Sequence, residues 1–403
     1  MNFPFYIAKR YLISKKSHNV INIISWISVI GVGVGTMALI IVLSAFNGLE
    51  NLVEHLYASF DPDIKITIKQ GKTFESSSFP KNKIVELPEV AFYTESIEEV
   101  ALIKYEDKQT VATVKGVEQS FYKMCGLDTM LIEGQQASLT NHKNYIVLGY
   151  GIADQLALFL ANGSFAKKVS VIVPKKGHRK GLTPDAEFTK KWAVPSGIFS
   201  VSPDFDTKYV LTSLPFAQQL TKHNNIISAV ELGLKKGVDW DETKAKIKAI
   251  VGDQFEVKTR YELNELVFKT NKTEKWITFL ILTFILVIAS FNIIGSLTML
   301  IIDKKKDIWI LKTMGASQAT IRRLFFVEGM LINLLGAFSG MLIGAFVCWL
   351  QIRFGLLRLD GGVVEFYPIA LEITDFIYVS GVVLVIGLIA SWYPIRILTK
   401  RHV

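Results

Sequence analysis

DKKKDIWILKTMGASQATIRRLFF, residues 303–326, is a basic, amphipathic stretch set between two long apolar runs. Gly315 is placed to stop a short helix and Ser317 to cap the next one. The run before it, Trp276–Ile302, has no Asp, Glu, Lys or Arg, and the run after it, Leu324–Ile352, has a single ionisable residue, Glu328. Two further runs, Val20–Phe46 and Phe376–Ile395, are free of charge altogether. Each reaches the roughly 20 residues that a bilayer core requires, so the sequence predicts four transmembrane helices joined in part by a charged elbow. A charged helical elbow is not needed for anchoring. It suits a membrane protein on which something soluble must push.

The averages, 50% hydrophobic residues and a net charge of +9 over 403 residues, hide this partition. The first apolar run is about twice the length of a cleaved signal's core and lacks a small-x-small cleavage site, so it is expected to stay as an anchor. Lysines and arginines set the orientation. Lys9, Arg10, Lys15 and Lys16 precede the first span; Lys304, Lys305, Lys306, Lys312, Arg322 and Arg323 lie in the elbow; Arg396, Lys400 and Arg401 close the chain. The short loop after the third span carries only Arg358. Both termini and the elbow are therefore expected in the cytoplasm, and one large domain outside it. The expected order is 20–46 first span, 47–275 exported domain with a stalk at each end, 276–302 second span, 303–323 elbow loop, 324–352 third span, 353–375 outer loop, 376–395 fourth span and 396–403 tail. The basic charge reads as a topology signal, and no motif points to nucleic acid.

The exported stretch has one cysteine, Cys125, and Cys348 lies in a span, so no disulfide framework is expected. DIKITIK at 63–69 alternates like a strand, VALIKYEDKQTVATVKGV at 100–117 like a hairpin, NYIVLG then GIADQLALFL like strand then helix, and KYVLTS then PFAQQL likewise. ISAVELGL, a helix from Trp240 to Ile250 and FEVKT read as β-α-β. Strands and helices interleave without a regular period, which predicts an α+β domain. Leu49, Leu52, Val53, Leu56, Tyr57 and Phe60 continue at helical spacing beyond the first span, a stalk of about 20 Å. Leu263, Leu266 and Val267 suggest a second stalk. PKKGHRKGLTPDAEFTKKWAVP, residues 174–195, reads as a projecting loop or hairpin. It is either a solvated surface loop or a docking arm presenting Lys175, Lys176, Arg179, Lys180, Lys190 and Lys191 around the aromatic Trp192.

Catalytic constellations are missing from the sequence. There is no GxSxG or HExxH. QGKTF at 70–74 resembles the end of a phosphate-binding loop, but Ile66 stands where the first glycine is needed. The six histidines have no ligand spacing. No metal or cofactor is expected on this chain, and it is not expected to hydrolyse ATP. Gly31, Gly33 and Gly35 leave part of the first span without bulk, and close helix packing is the reading favoured for them. Met37, Phe46, Phe284 and Phe291 are apolar side chains available to line a deformable cavity. Glu328 reads as a residue that snorkels or pairs with Arg322 or Lys304.

FYIAKRYLISKKSHNVINIISWISVIGVGVGTMALIIVLSAFNGLE at 5–50 resembles the opening of the LolC/LolE lipoprotein-releasing permeases, within the FtsX- and MacB-like family of ABC transporters. SFNIIGSLTMLIIDKKKDIWILKTMGASQATIRRLFFVEG at 290–329 is similar to that family's second span, coupling helix and third-span entry, and ASWYPIRI at 390–397 to its last span. The resemblance implies a cytoplasmic amphipathic helix over 1–19 and an exported domain of the MacB periplasmic-core type. It implies two permease chains, alike or a LolC/LolE-like pair, on a LolD-like ATPase dimer that supplies ATP and Mg. The chain would be a non-catalytic subunit of the bacterial inner membrane. It would extract lipoproteins from the outer leaflet and pass them to a LolA-like carrier in the periplasm. Lys306, Asp307, Trp309, Leu311, Lys312, Met314 and Gly315 match the part of the motif that rests on the ATPase. The 174–195 arm falls where the family's hook for the carrier lies. The alternatives within the family are an FtsX-like device that signals to a cell-wall hydrolase and a MacB-like efflux transmitter.

Overall fold

In the computed structural model, residues 19–134, 144–159, 168–175, 188–221, 225–359 and 364–402 are described. The chain divides into two compact units, Met1–Leu52 with Val267–Val403, and Val53–Leu266. The first unit is a helix bundle. Among the described residues, four helices hold an apolar window long enough to cross a membrane. They run Asn19–Ala58, Glu265–Asp303, Gln318–Phe354 and Ile373–His402. The first has 40 residues, roughly 60 Å at 1.5 Å per residue, about twice the hydrocarbon thickness. All four contribute to one core, which includes Val32, Leu39 and Ile40 from the first span, Leu286 and Ile293 from the second, Ile332 from the third and Val379 and Val383 from the fourth. Burial is uneven: 44% of the first span's apolar window is buried and only 17% of the second's. The second span therefore shows most of its apolar surface outward, and only lipid or another apolar chain can cover such a surface.

Glycines set the closest approach in this bundle. A Cβ on Gly336 would lie 2.7 Å from the carbonyl oxygen of Val29, one on Gly340 2.3 Å from that of Gly33, and one on Gly344 3.2 Å from that of Met37. The third span thus carries a ridge of glycines four residues apart, and the first span's backbone rests on it. Gly33 returns the contact at 3.3 Å from Gly336, and Gly35 faces Leu286 of the second span at 2.8 Å. The close-packing reading of the first-span glycines is what the structure shows. Gly381, in contrast, has open space where a Cβ would go. Gly340→Val is expected to destabilise the bundle by about 3 kcal/mol or more, since backbone cannot move aside, and Gly381→Ala to be close to neutral. Thermal melting of the purified chain in detergent checks both.

The second unit is α+β, with β1 (Ile64–Ile68), β2 (Phe74–Glu75), β3 (Val90–Tyr105), β4 (Lys108–Val117), β5 (Leu131–Gly134), β6 (Tyr145–Gly149), β7 (Val169–Pro174), β8 (Phe188–Phe199), β9 (Tyr209–Ser213), β10 (Ile226–Ile227), β11 (Ala229–Leu234) and β12 (Phe255–Thr259). The main sheet runs β12-β1-β11-β3-β4-β9-β6-β8-β5, and β7 pairs with both β3 and β8. Strands β3, β4, β9, β6, β8 and β7 therefore form a closed circuit. Ile103, Val114, Ile146, Leu148, Val171 and Val210 fill its core. The 16-residue β3 serves both halves: Val90–Ser96 pairs with β11, and Leu102–Lys104 with β7. In the other half, β11 and β12 each lie antiparallel to β1, which sits between them. The expected β-α-β unit is thus split, and its helix Trp240–Val251 covers it with Ile247 and Val251. Two sequence expectations change. The helix predicted over GIADQLALFL spans only Tyr150–Gln155, because Ala157 adopts φ 47° and Leu156 and Leu158 both turn into the core. Phe60, placed on the helical pattern of the stalk, lies beyond that helix's end. It is buried against Phe205 and Tyr209, with ring centroids at 4.6 and 4.8 Å.

A buried ion network joins the strands of the split half. Lys115 of β4 donates to Glu231 of β11 at 3.0 Å, and both side chains are fully buried. Glu231 also accepts from Ser96 Oγ at 2.6 Å. Lys115 stands over the rings of Phe121 and Phe60, at 4.5 and 5.1 Å. Glu98 accepts from Lys65 at 2.7 Å and lies 3.8 Å from Lys115. Burial alone would raise the Glu98 carboxyl; the Lys65 and Lys115 ammonium groups outweigh it and hold the group down at about 2, from an ordinary 4.5. A depressed carboxyl stabilises the fold above its unfolded value, and that contribution is lost as pH falls through the folded one. Stability of this unit is expected to drop between pH 4.5 and 2, and Glu98→Gln to flatten the drop. Near-ultraviolet circular dichroism melts across that range provide the check.

Candidate functional site: a charged elbow and the opposite end of the bundle

The elbow is a nine-residue helix, Lys305–Thr313. Its hydrophobic inner side is Ile308, buried with Leu300, Ile301, Ile321, Leu324, Phe325 and Ile395. Its end is a double backbone closure. Gly315 donates to the carbonyl of Lys312 and Ala316 to that of Leu311, both at 2.9 Å. Gly315 takes φ 87°, a left-handed conformation that glycine adopts without a Cβ penalty. Ser317 then caps the third span, its Oγ accepting from the Thr320 amide at 3.2 Å. Anchored by Ile308, the helix turns its large apolar residues away from the bundle: Trp309 is 67% exposed and Met314 78%. Lys306 and Gly315 are exposed as well, and Asp307, Leu311 and Lys312 are partly covered. Asp307 sits 3.6 Å from Lys304. The structure thus brings the seven residues singled out in the elbow onto one short segment. Ile310, also exposed, belongs with them and was missed. Exposed Trp and Met amid lysines form a surface suited to an apolar, acidic groove.

At the opposite end of the bundle, Asn47 and Gly48 do structural work that the AFNGLE motif alone did not reveal. Asn47 Nδ2 donates to Asp375 Oδ2 at 2.6 Å and to the Ala370 carbonyl at 3.4 Å, and its Oδ1 accepts from Lys275. A Cβ on Gly48 would lie 2.3 Å from the Pro368 carbonyl oxygen. Ala370 donates its amide to Ser44, and Gln351 ties the same loop through Leu357 and Tyr367. The end of the first span is therefore the seat of the loop between the third and fourth spans. Beside it lies a cavity of about 270 Å³ lined by Leu43, Trp276, Phe279, Tyr378 and Val382 below, and by Glu50, Lys272, Lys275, Glu372 and Asp375. Apolar walls with both charge signs at one end fit an amphiphile. A helical stripe, Lys272, Lys275, Trp276 and Phe279, marked one wall in the sequence and was not read.

The other singled-out residues fall elsewhere. Phe284 and Phe291 lie exposed along the second span, and Met37 and Phe46 are partly buried; none of the four lines this cavity. Glu328 does not snorkel: it is buried in the bundle, its Oε2 unpartnered. At the neighbouring Gly329 the packing is also close, since a Cβ there would lie 2.6 Å from Ser391 Oγ and 2.7 Å from a Leu297 methyl. The 174–195 segment starts as a hairpin, with Pro174 opposite Phe188. Trp192 is exposed on β8 with the Lys190 ammonium 4.9 Å from its ring. Lys175 is described at the hairpin's edge, whereas Lys176, Arg179 and Lys180 lie outside the described residues.

Fold and elbow together define a class: four-span membrane subunits with a large α+β domain inserted after the first span. The MacB-like periplasmic core domain matches residues 25–250, and the FtsX-like permease C-terminal domain matches 279–403. The chain belongs to this MacB- and FtsX-like permease family. It is similar to the lipoprotein-releasing system transmembrane protein LolE of Haemophilus influenzae, 25% identical over 98% of this chain and 96% of that one. It is equally similar to LolC of Neisseria meningitidis serogroup B, 24% identical over 98% and 97%. Among solved structures, the periplasmic region of MacB from Actinobacillus actinomycetemcomitans matches 54% of this chain and 97% of its own, at 12% identity and a TM-score of 0.38.

Asn47→Ala removes one amide that serves three partners and leaves Asp375 and Lys275 without it. A loss of about 2–4 kcal/mol is expected, larger than for one neutral hydrogen bond. Thermal melting in detergent, compared with Asn51→Ala on the same helix, checks it.

Proposed function

We propose that this chain is the permease subunit of an ABC transporter that extracts lipoproteins from the outer leaflet of the bacterial inner membrane and hands them to a periplasmic carrier. The elbow carries the reading. A short helix whose inner residue is locked into the span ends, while Trp309, Ile310 and Met314 point away, suits docking onto a soluble ATPase rather than anchoring. Near-full-length similarity to two lipoprotein-releasing proteins supports the cargo. ATP and Mg belong to the partner; this chain transmits the motion.

The physics requires such coupling. Acyl chains are held in the bilayer by about 0.8 kcal/mol per methylene, so extraction is uphill and must be both driven and shielded. The cavity beside Asn47 offers shielding for part of an amphiphile. Met37, Phe46, Phe284 and Phe291 are assigned to the apolar surface that the acyl chains meet where a second permease chain, identical or paralogous, closes against the sparsely buried second span. Orientation follows the lysine and arginine bias, with both termini and the elbow cytoplasmic. The carrier is assigned to the hairpin that includes Lys175, Lys176, Arg179, Lys180 and Trp192, whose positive charge suits an acidic surface.

Trp309→Ala and Gly315→Pro are expected to insert normally and to lower recovery of the ATPase with the chain by about tenfold, as loss of an interface anchor does. Proline fits neither φ 87° nor the amide that Gly315 donates to Lys312. Depletion of the chain is expected to leave lipoproteins in the inner membrane on fractionation. Normal lipoprotein sorting after depletion would remove the cargo reading, and normal ATPase recovery with both variants would remove the docking reading.

A further inference from the structure

A second cavity, of about 400 Å³, opens between the ends of the third and fourth spans nearest the elbow. Its lining is Arg322, Arg323 and Arg396 together with Phe326, Trp392 and Ile395. Three guanidinium groups and three large apolar side chains thus share one hollow. The Arg396 guanidinium lies 4.8 Å from the Trp392 ring centroid, within cation–π range. Phe326 and Ile395 also belong to the cluster that buries Ile308 of the elbow, so one wall of the hollow is continuous with the seat of the elbow helix.

We infer that this hollow binds the headgroup of one anionic phospholipid, with its acyl part along Phe326 and Trp392. Guanidinium forks match phosphate oxygens in pairs, and basic pockets between spans at the membrane surface are suited to acidic headgroups. The apolar wall separates a lipid from a free anion, because a soluble phosphate has nothing to place against Phe326, Trp392 and Ile395. The three guanidinium charges favour an anionic headgroup over a zwitterionic one, whose ammonium they repel. A lipid held there braces the span ends against which the elbow is packed. The assignment to the cytoplasmic leaflet rests on the orientation proposed above; binding itself does not, and neither depends on the cargo.

The test uses the full chain in mild detergent and native mass spectrometry with added phosphatidylglycerol or phosphatidylcholine, without nucleotide or lipoprotein. The unsubstituted chain is expected to retain phosphatidylglycerol in preference to phosphatidylcholine, and R322Q/R323Q/R396Q to lose that retention by about tenfold. If the triple variant does not elute as a single species, Arg323→Gln and Arg396→Gln carry the test singly, each with a several-fold loss. Equal retention by the variants would overturn the proposal. Displacement of the lipid by inorganic phosphate would overturn it in favour of a free-anion site. Unchanged retention together with loss of ATPase co-purification would overturn it in favour of a protein contact. A failure of lipoprotein sorting experiments leaves this result untouched, so the two readings fail separately.

Discussion

The contact on which the membrane unit depends is backbone against backbone. The first span lies on Gly336, Gly340 and Gly344 of the third, close enough that a single added methyl group would meet a carbonyl oxygen. In hydrocarbon there is no water to expel between helices, so tight packing and polar links must hold a bundle together. This bundle uses both. Glycines bring the first and third spans together, and Ser28 reaches the Asn292 carbonyl of the second span while Asn333 reaches the Val383 carbonyl of the fourth. The second span, with little of its surface buried, remains the one that can meet a different neighbour.

That packing places chemistry at both ends of the bundle. At one end the elbow helix is pinned by a single isoleucine and closed by a glycine in the left-handed region, which leaves Trp309, Ile310 and Met314 outward. At the other, Asn47 gathers Asp375, Ala370 and Lys275 around the end of the first span, beside an apolar cavity with charged groups. Both ends belong to a chain of the MacB- and FtsX-like permease family.

The α+β unit solves a separate problem. With no disulfide between its strands, it is held by three apolar clusters, two of which share β3, and by a buried ion network set among β1, β3, β4 and β11. Buried ions seldom add net stability over apolar residues of the same size, but breaking one partner of such a pair is costly, on the order of 3–5 kcal/mol. The Lys115–Glu231 pair therefore penalises any register of β4 and β11 that separates the two charges. Both strands flank β3, so the pair ties the two sides of that strand together.

Much of this was legible in sequence because it is local. Runs of apolar residues give the spans, lysine and arginine counts give an expected orientation, and Gly315 and Ser317 mark the elbow's end. Strands such as FEVKT follow from two-residue alternation. The elbow residues were legible too, since one short helix holds them all. What could not be read depends on residues far apart in the chain. The glycine ridge shows as spacing in the third span, but only the fold tells that the first span rests on it. Asn47 stands in a motif that can be recognised, yet its partners lie more than 200 residues away. Leu156 and Leu158 continue a helical pattern, and the core claims them instead as the chain turns at Ala157. The sequence by itself determined the class, four spans with one inserted α+β domain and a charged elbow, because hydropathy and helix-end signals act within a few residues. Only the tertiary structure decided which glycines touch, where the two cavities open and which charges are buried together, because close packing and desolvation are properties of neighbours in space.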